Sequence, residues 1–298
     1  MKDIINGAGL FDGEQVAKDA LPDFLYQSVP PGISADEAAI NLTAERAWYS
    51  HPPPSWTHLA RAGFSYQLQP GGLLQSAAEA FNLARLDGIH QFDFKTDATG
   101  RRWPQKRFGH SLDVAAMANL LAHHNADVLP PSERKALVVA ALLHDIRMPP
   151  GGETMKHIDM PRFDEDANFP AFVESEAFWE FACIHDVDAQ AVARVMREED
   201  AVGVLKDLAH KIGYVCRDVE HLLTGRHALT GDRFDQYQRV ARFLEGCPRP
   251  GVFWRSIRVQ GGQAVIHNID GFCDFLELRA RLFEIGRASC RERVCQYV

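Results

Sequence analysis

Five polar side chains recur in KDLAHKIGYVCRDVEHLL at offsets that bring them to one helix face: Asp207, His210, Lys211, Tyr214 and Asp218, at 0, 3, 4, 7 and 11. Leu208, Ile212 and Val215 fall on the other faces. An imidazole, an ammonium, a phenol and two carboxylates are an inventory for a metal ion and an anionic ligand. The same face would also serve as a solvated surface laced with internal ion pairs. Two earlier places carry matching chemistry. The apolar run Ala136–Asp145, ALVVAALLHD, ends abruptly in His144 and Asp145, and His110 lies upstream in RFGHSLDVAAMANLL. An imidazole and a carboxylate at the edge of a core cost several kcal/mol or more to bury unpartnered, so a cation or another charge is expected beside them. A mixed imidazole–carboxylate set suits a first-row divalent ion such as Mn, Fe, Co, Ni or Zn, with Mg as a further candidate.

Other histidines read differently. His185-Asp186 also spells His-Asp, but it precedes a helical pattern, so Asp186 or Asp188 is expected to be an N-cap. His123-His124 closes an apolar helix and is expected to be exposed, with a role at the helix dipole at most.

The elements that position these groups are mostly helices. Leu74, Ala78, Phe81 and Ala84 are spaced as one helix from Leu73 that Gly88 ends. A polar loop, TDATGRRWPQK, leads to a helix from Ser111, with Val114, Met117, Ala118 and Leu121 on one face. Leu129-Pro130-Pro131-Ser132-Glu133 turns into the apolar run, which reads as a buried helix because it is apolar all round. Met148-Pro149-Pro150-Gly151-Gly152 cannot be helical. After an acidic, aromatic segment come helices opened by Asp188, over Lys206–Leu223 and over Phe234–Glu245. Val252–His267, β-branched around Gln260-Gly261-Gly262-Gln263, reads as a hairpin. The fold class expected is mainly α, a helical bundle with one small β-hairpin near the C-terminus.

With 298 residues, 46% of them hydrophobic, the chain can bury one large core or two small ones. Its net charge of −8 argues against a broad nucleic-acid interface while leaving a local basic cleft open. No signal peptide or membrane-length apolar run is visible. The six cysteines form no CxxC pair, so reduced thiols in a cytoplasmic protein are expected. Residues 1–75 read as an extension or cap, with a short helix at INLTAERAWYS and a proline stop at HPPPSW. The tail 284–298, EIGRASCRERVCQYV, looks like a translated sequencing adapter that interrupts the helix GFCDFLELRARLF.

RLDGIHQF, RFGHSLDV, ALLHDI and AHKIGYVCRD, in this order and spacing, resemble the deoxynucleoside triphosphate triphosphohydrolases among the HD-domain metal-dependent phosphohydrolases, the dGTPases and the HD domain of the vertebrate dNTP hydrolase. The likeness spans about Phe81 to Phe283 and implies a catalytic core over 76–283. It implies that His110, His144 and Asp145 are metal ligands. The family's fourth ligand, an Asp before a Lys, falls on His210, with Asp207 one turn earlier as the fallback. Lys211 and Tyr214 fall on residues that hold phosphate and sugar, Asp218 and Gln91 on those that read the sugar 3′-hydroxyl. Arg107 matches an arginine on the phosphate next to the metal, and Arg279 a distal phosphate-binding arginine. The loop after Asp145 departs from the family, which has histidines near the scissile phosphate. Here Glu153 stands close to the missing histidine's position and His157 slightly further on, and these two are the candidate proton donors. The resemblance implies hydrolysis of a deoxynucleoside triphosphate to deoxynucleoside and triphosphate, by ion-activated water attacking the α-phosphorus. A homo-oligomer is expected, and no membrane partner. The alternatives are an HD nucleoside monophosphatase, a non-catalytic nucleotide-binding regulatory protein, or a structural helical domain with incidental His-Asp pairs.

Overall fold

The computed structural model describes residues 72–91, 106–223 and 250–281, with the backbone alone at 153, 220–223 and 250–252. The expected helices at INLTAERAWYS and Phe234–Glu245, most of the 1–75 extension and the 284–298 tail lie outside the described residues.

Three helices make the centre. Helix α2, Arg107–His124, is buried on every side from His110 to Ala122, as its composition requires. Helix α3, Pro131–Leu143, starts with proline in its first turn and is buried throughout from Ala136 to Leu143. Helix α9, Ala201–Leu223, is amphipathic and buries Leu205, Ala209, Ile212, Val215 and Val219 against α2 and α3. All three begin earlier than expected: α2 and α3 have charged or polar residues in their first turns, and α9 starts at the apolar Ala201-Val202-Gly203-Val204, five residues before Lys206. Asp200 accepts the Gly203 N–H at 2.9 Å, the bond an N-cap makes.

Helix α1, Leu73–Ala80, is shorter than expected. The chain breaks at Asn82, whose backbone is left-handed (φ 48°), and resumes as a 3-10 helix, Leu83–Gly88. Asparagine tolerates that conformation better than most residues, and the break lets Leu83 and Leu86 both reach the core. The acidic, aromatic segment folds into short helices: α4 Glu153–Lys156, α5 Met160–Phe163, α6 Glu165–Val173 and α7 Glu176–His185, followed by α8 Ala189–Met196. Side chains of Asp159, Asp164, Ser175 and Asp188 cap four of them. Phe81 meets Phe172, Phe178 and Phe181 at ring separations of 5.0, 5.7 and 5.1 Å, which fastens this layer to α1.

A 3-10 helix, Pro250–Ser256, leads into the antiparallel hairpin β1, Ile257–Gln260, and β2, Gln263–Ile266. Gly261 and Gly262 turn it with φ of 57° and 75°, the positive pair a two-residue turn with right-handed twist needs. Helix α10 covers 269–281, and Phe275 stacks on Phe253 at 5.2 Å. The hairpin is fixed to the end of α2 by buried Asn125, whose Oδ1 accepts from Val259 N at 2.7 Å while its Nδ2 donates to Leu121 O at 2.8 Å. His124 is not the exposed residue expected: Trp254 packs edge-on against its ring at 5.2 Å and its Nε2 lies 3.1 Å from Arg255 O. Among the described residues no helix is long and apolar enough to cross a membrane, and Cys183, Cys216 and Cys273 form no disulfide with one another.

Replacing Asn125 with alanine orphans the buried Val259 N–H on β1, while the Leu121 carbonyl keeps the backbone N–H of residue 125. Asn125→Ala should therefore lower unfolding free energy by about 2 kcal/mol, measured by urea titration; a change within about 0.5 kcal/mol would show that the hairpin is held by packing alone.

Candidate metal centre

Each central helix delivers one imidazole to a common point. His110 projects from the first turn of α2 and is 0% exposed, His144 is the C-cap of α3, and His210 lies midway along α9. Their ring centroids are 5.1 Å (His110–His144), 4.9 Å (His110–His210) and 5.1 Å (His144–His210) apart. One donor nitrogen from each lies within 4.8 Å of the others. Two nitrogens at about 2.1 Å from one ion can be at most about 4.2 Å apart, so the rings stand near ligating distance. Close helix approach makes this reach possible. A Cβ on Gly213 would sit 3.2 Å from the Asp113 carbonyl carbon and the Val114 nitrogen, so α2 and α9 meet backbone to backbone one turn beyond His210.

The donor atoms lack partners where a cation would sit. Both ring nitrogens of His110, Nε2 of His144 and Oδ2 of Asp145 are buried with no hydrogen-bond partner among the described residues. His144 Nδ1 lies 2.8 Å from Ala141 O, which fixes that nitrogen as the donor and leaves Nε2 with its lone pair facing inward. Asp145 adjoins the trio through His144 Nε2, 3.5 Å from its Oδ2. Its Oδ1 accepts from Arg107 Nη1 at 2.8 Å, and both partners are buried. Orphaned nitrogens and a carboxylate oxygen around one point fit a divalent cation held by His110, His144, His210 and Asp145.

The remaining sequence-derived residues take several places. Arg107 is in the site through Asp145. Tyr214 stands edge-on to His110 at 6.1 Å. Its hydroxyl is pushed up by burial and by the Asp218 carboxylate, against the opposing charges of Arg279 and Arg107, which groups these four side chains. Gln91 is buried just past the His90–Lys106 bridge that leads into α2. Lys211 pairs with Asp207 along α9, so Asp207, the fallback ligand, is committed to that ion pair and is not among the clustered donors. His157 is exposed at the C-cap of α4 and makes no side-chain hydrogen bond to the site among the described residues. Glu153 opens α4, and its side chain lies outside the described residues. In the second His-Asp pair, Asp186 is a left-handed C-cap (φ 51°), held by Lys135, and Asp188 is the N-cap of α8, accepting Ala191 N at 3.0 Å.

Two features were not read from the sequence. Asp113 and Arg217 form a buried two-bond pair between α2 and α9, each bond 2.6 Å. Asp113 sits in an apolar stretch and Arg217 on a buried face of α9 beside Asp218, and opposite charges on two buried helix faces must find each other. Lys206 lies one turn before His210, largely buried and 3.2 Å from Glu198. The i, i+4 spacing to His210 was its only signal.

Residues 107–227 match a family model described as HD domain. Over that segment the chain is similar to HD domains. HD domains are typically metal-dependent hydrolases that bind divalent metals. Comparison with curated proteins gives no match. Among solved structures, a hypothetical protein from Aquifex aeolicus is similar over 75% of this chain, at 16% identity and a TM-score of 0.45; the chain spans 57% of its length.

The electrostatics of the centre keep its imidazoles neutral. His110 is held well below the ordinary histidine value by burial, then by His210, His144 and the Arg107 and Arg217 guanidiniums. His210 is lowered to about 3, by burial first and His144 next. His144 is also lowered, since burial outweighs the help of Asp145 and of the Ala141 carbonyl. Burial alone would raise Asp145, but His144 and Arg107 together bring it below the usual carboxylate value. Three neutral imidazoles and one carboxylate are the protonation states that ligation requires.

A histidine whose folded pKa lies below its unfolded value binds a proton more readily when the chain is unfolded. It therefore costs stability as pH falls from 6.5 towards its folded value, about 3 for His210. In metal-free protein, His210→Gln should gain stability relative to wild type across that pH window, measured by urea unfolding. A pH-independent difference between the two would contradict the buried, neutral assignment.

Proposed function

We propose that this protein is a metal-dependent phosphohydrolase acting on a nucleotide, with a deoxynucleoside triphosphate as the favoured substrate. The observation that carries the reading is a set of unpartnered donors for one cation, ringed by side-chain cations. Arg107 contacts Asp145, the charges of Lys206 and Arg107 act on both His144 and His210, and the charge of Arg279 acts on Tyr214. A site built only to hold a metal ion would not gather so many positive charges around it, because they repel the metal. A polyanion that shares the site resolves the conflict, and a chain of phosphates is the polyanion hydrolysed at such centres.

A divalent cation bound there would supply Lewis acidity towards a phosphoryl oxygen and lower the pKa of water at neutral pH. The protein's own groups supply the rest. His110, His144, His210 and Asp145 would hold the ion, and the Ala141 carbonyl keeps His144 in the ligating tautomer. Arg107 would present its planar fork to a phosphate beside Asp145. Tyr214, kept as a neutral phenol by burial and by Asp218, can donate a hydrogen bond to a sugar or phosphate oxygen, and Asp218 can accept one from a sugar hydroxyl. Arg85 fixes the turn after the His-Asp pair by donating to Met148 O at 2.8 Å and to Ile146 O. Glu153 and His157 remain the proposed proton donors to the leaving group, a contribution worth about 10²–10⁴-fold.

The loop 147–152 favours one alternative. Its buried Met148 occupies a stretch without histidine, which a nucleotide-binding regulator would tolerate better than a hydrolase.

The full chain, loaded with Mn²⁺ and given mixed deoxynucleoside triphosphates, should release triphosphate, and Asp145→Ala should reduce release by about 100-fold or more. Binding in calorimetry without turnover would replace this reading with the regulatory one. Phosphate release from monophosphates would point to a monophosphatase, and neither binding nor release would overturn the nucleotide assignment.

A further inference from the structure

The buried pair between α2 and α9 sits on the same two helix faces that carry two of the three imidazoles. Asp113 is one turn beyond His110, and Arg217 is two turns beyond His210 and one beyond Tyr214. Arg217 Nε donates to Asp113 Oδ2 and Nη2 to Oδ1, both at 2.6 Å, with side chains 3% and 0% exposed. A planar fork on a carboxylate fixes direction as well as distance. Successive helix residues are about 1.5 Å apart along the axis, so a slip by even one residue would break both bonds. Gly213 lies between the levels of the imidazoles and of the pair, with no room for a Cβ. The helices are therefore pressed together there and their axial register is set just beyond.

Stability does not explain this pair. A buried ion pair exchanged for apolar residues of similar volume often leaves a fold as stable or more so, whereas loss of one partner is costly. Packing of apolar α2 against the apolar face of α9 would hold the two helices together without fixing how far along each other they lie. The 4.9 Å approach of the His110 and His210 rings depends on that register.

We propose that Asp113 and Arg217 are positioning residues for the metal centre: their pair sets the α2–α9 register that brings His110 and His210 to ligating distance. This rests on the metal site proposed above, but it concerns geometry that exists without the ion.

The test is the full-length double variant Asp113→Leu/Arg217→Met, compared with wild type in three measurements. Thermal unfolding should stay within a few degrees. Calorimetric Mn²⁺ affinity should fall by about 10–100-fold, the usual cost of losing outer groups that orient ligands. A crystal structure of the metal-free variant should show the His110 and His210 rings further apart than 4.9 Å. Arg217→Lys, which keeps the charge but not the fork, should lose affinity similarly, and it carries the test if the double variant does not fold. Unchanged affinity and ring separation in the double variant, or full affinity in Arg217→Lys, would overturn the proposal. If wild type itself binds no Mn²⁺, the metal reading fails, and the metal-free ring separation still decides the claim about register.

Discussion

Desolvation of donor atoms is the constraint on which this structure turns. Four groups that water would normally satisfy, three imidazoles and a carboxylate, are drawn into the interior where three helices meet. Among the described residues no group hydrogen-bonds to either nitrogen of His110, to Nε2 of His144 or to Oδ2 of Asp145. Each such atom costs about 1–3 kcal/mol when left unmade, a substantial share of a typical folding free energy. The fold offsets this with a large apolar contact surface along α2, α3 and α9, and the site sits at that junction because only close-packed helices can bring their first-turn, last-turn and mid-helix residues together.

Charge around the junction follows from the same constraint. The guanidiniums and burial keep the imidazoles unprotonated, so their lone pairs stay available. Arg107 holds one oxygen of Asp145 and leaves the other facing His144. Under the proposed function, positive side chains that would disfavour a lone metal become useful once a polyanion is bound beside it.

Much of this was legible in the residues. The run ALVVAALLHD announces a buried helix ending in two metal-competent side chains, and the offsets along α9 put His210 on the face of Tyr214 and Asp218. What escaped the sequence depends on contacts between distant segments. His124 looks like an exposed helix end until Trp254 and Arg255 arrive from about 130 positions further along the chain. The break at Asn82 interrupts a periodicity that continues on either side of it. Lys211, which matches a phosphate-binding residue, reaches back to Asp207, and local helix geometry alone favours that pair. Asp113 was legible as an isolated charge in an apolar helix, but its union with Arg217 required knowing that the two helices meet closely at Gly213.

The central claim is that His110, His144, His210 and Asp145 enclose one divalent cation. Anomalous diffraction from crystals grown with Mn²⁺ tests it most directly. The account predicts one strong peak among the three imidazoles, with Nε2 of His144 and an oxygen of Asp145 in its coordination sphere. An empty centre, with the ion found only at surface carboxylates, would contradict it.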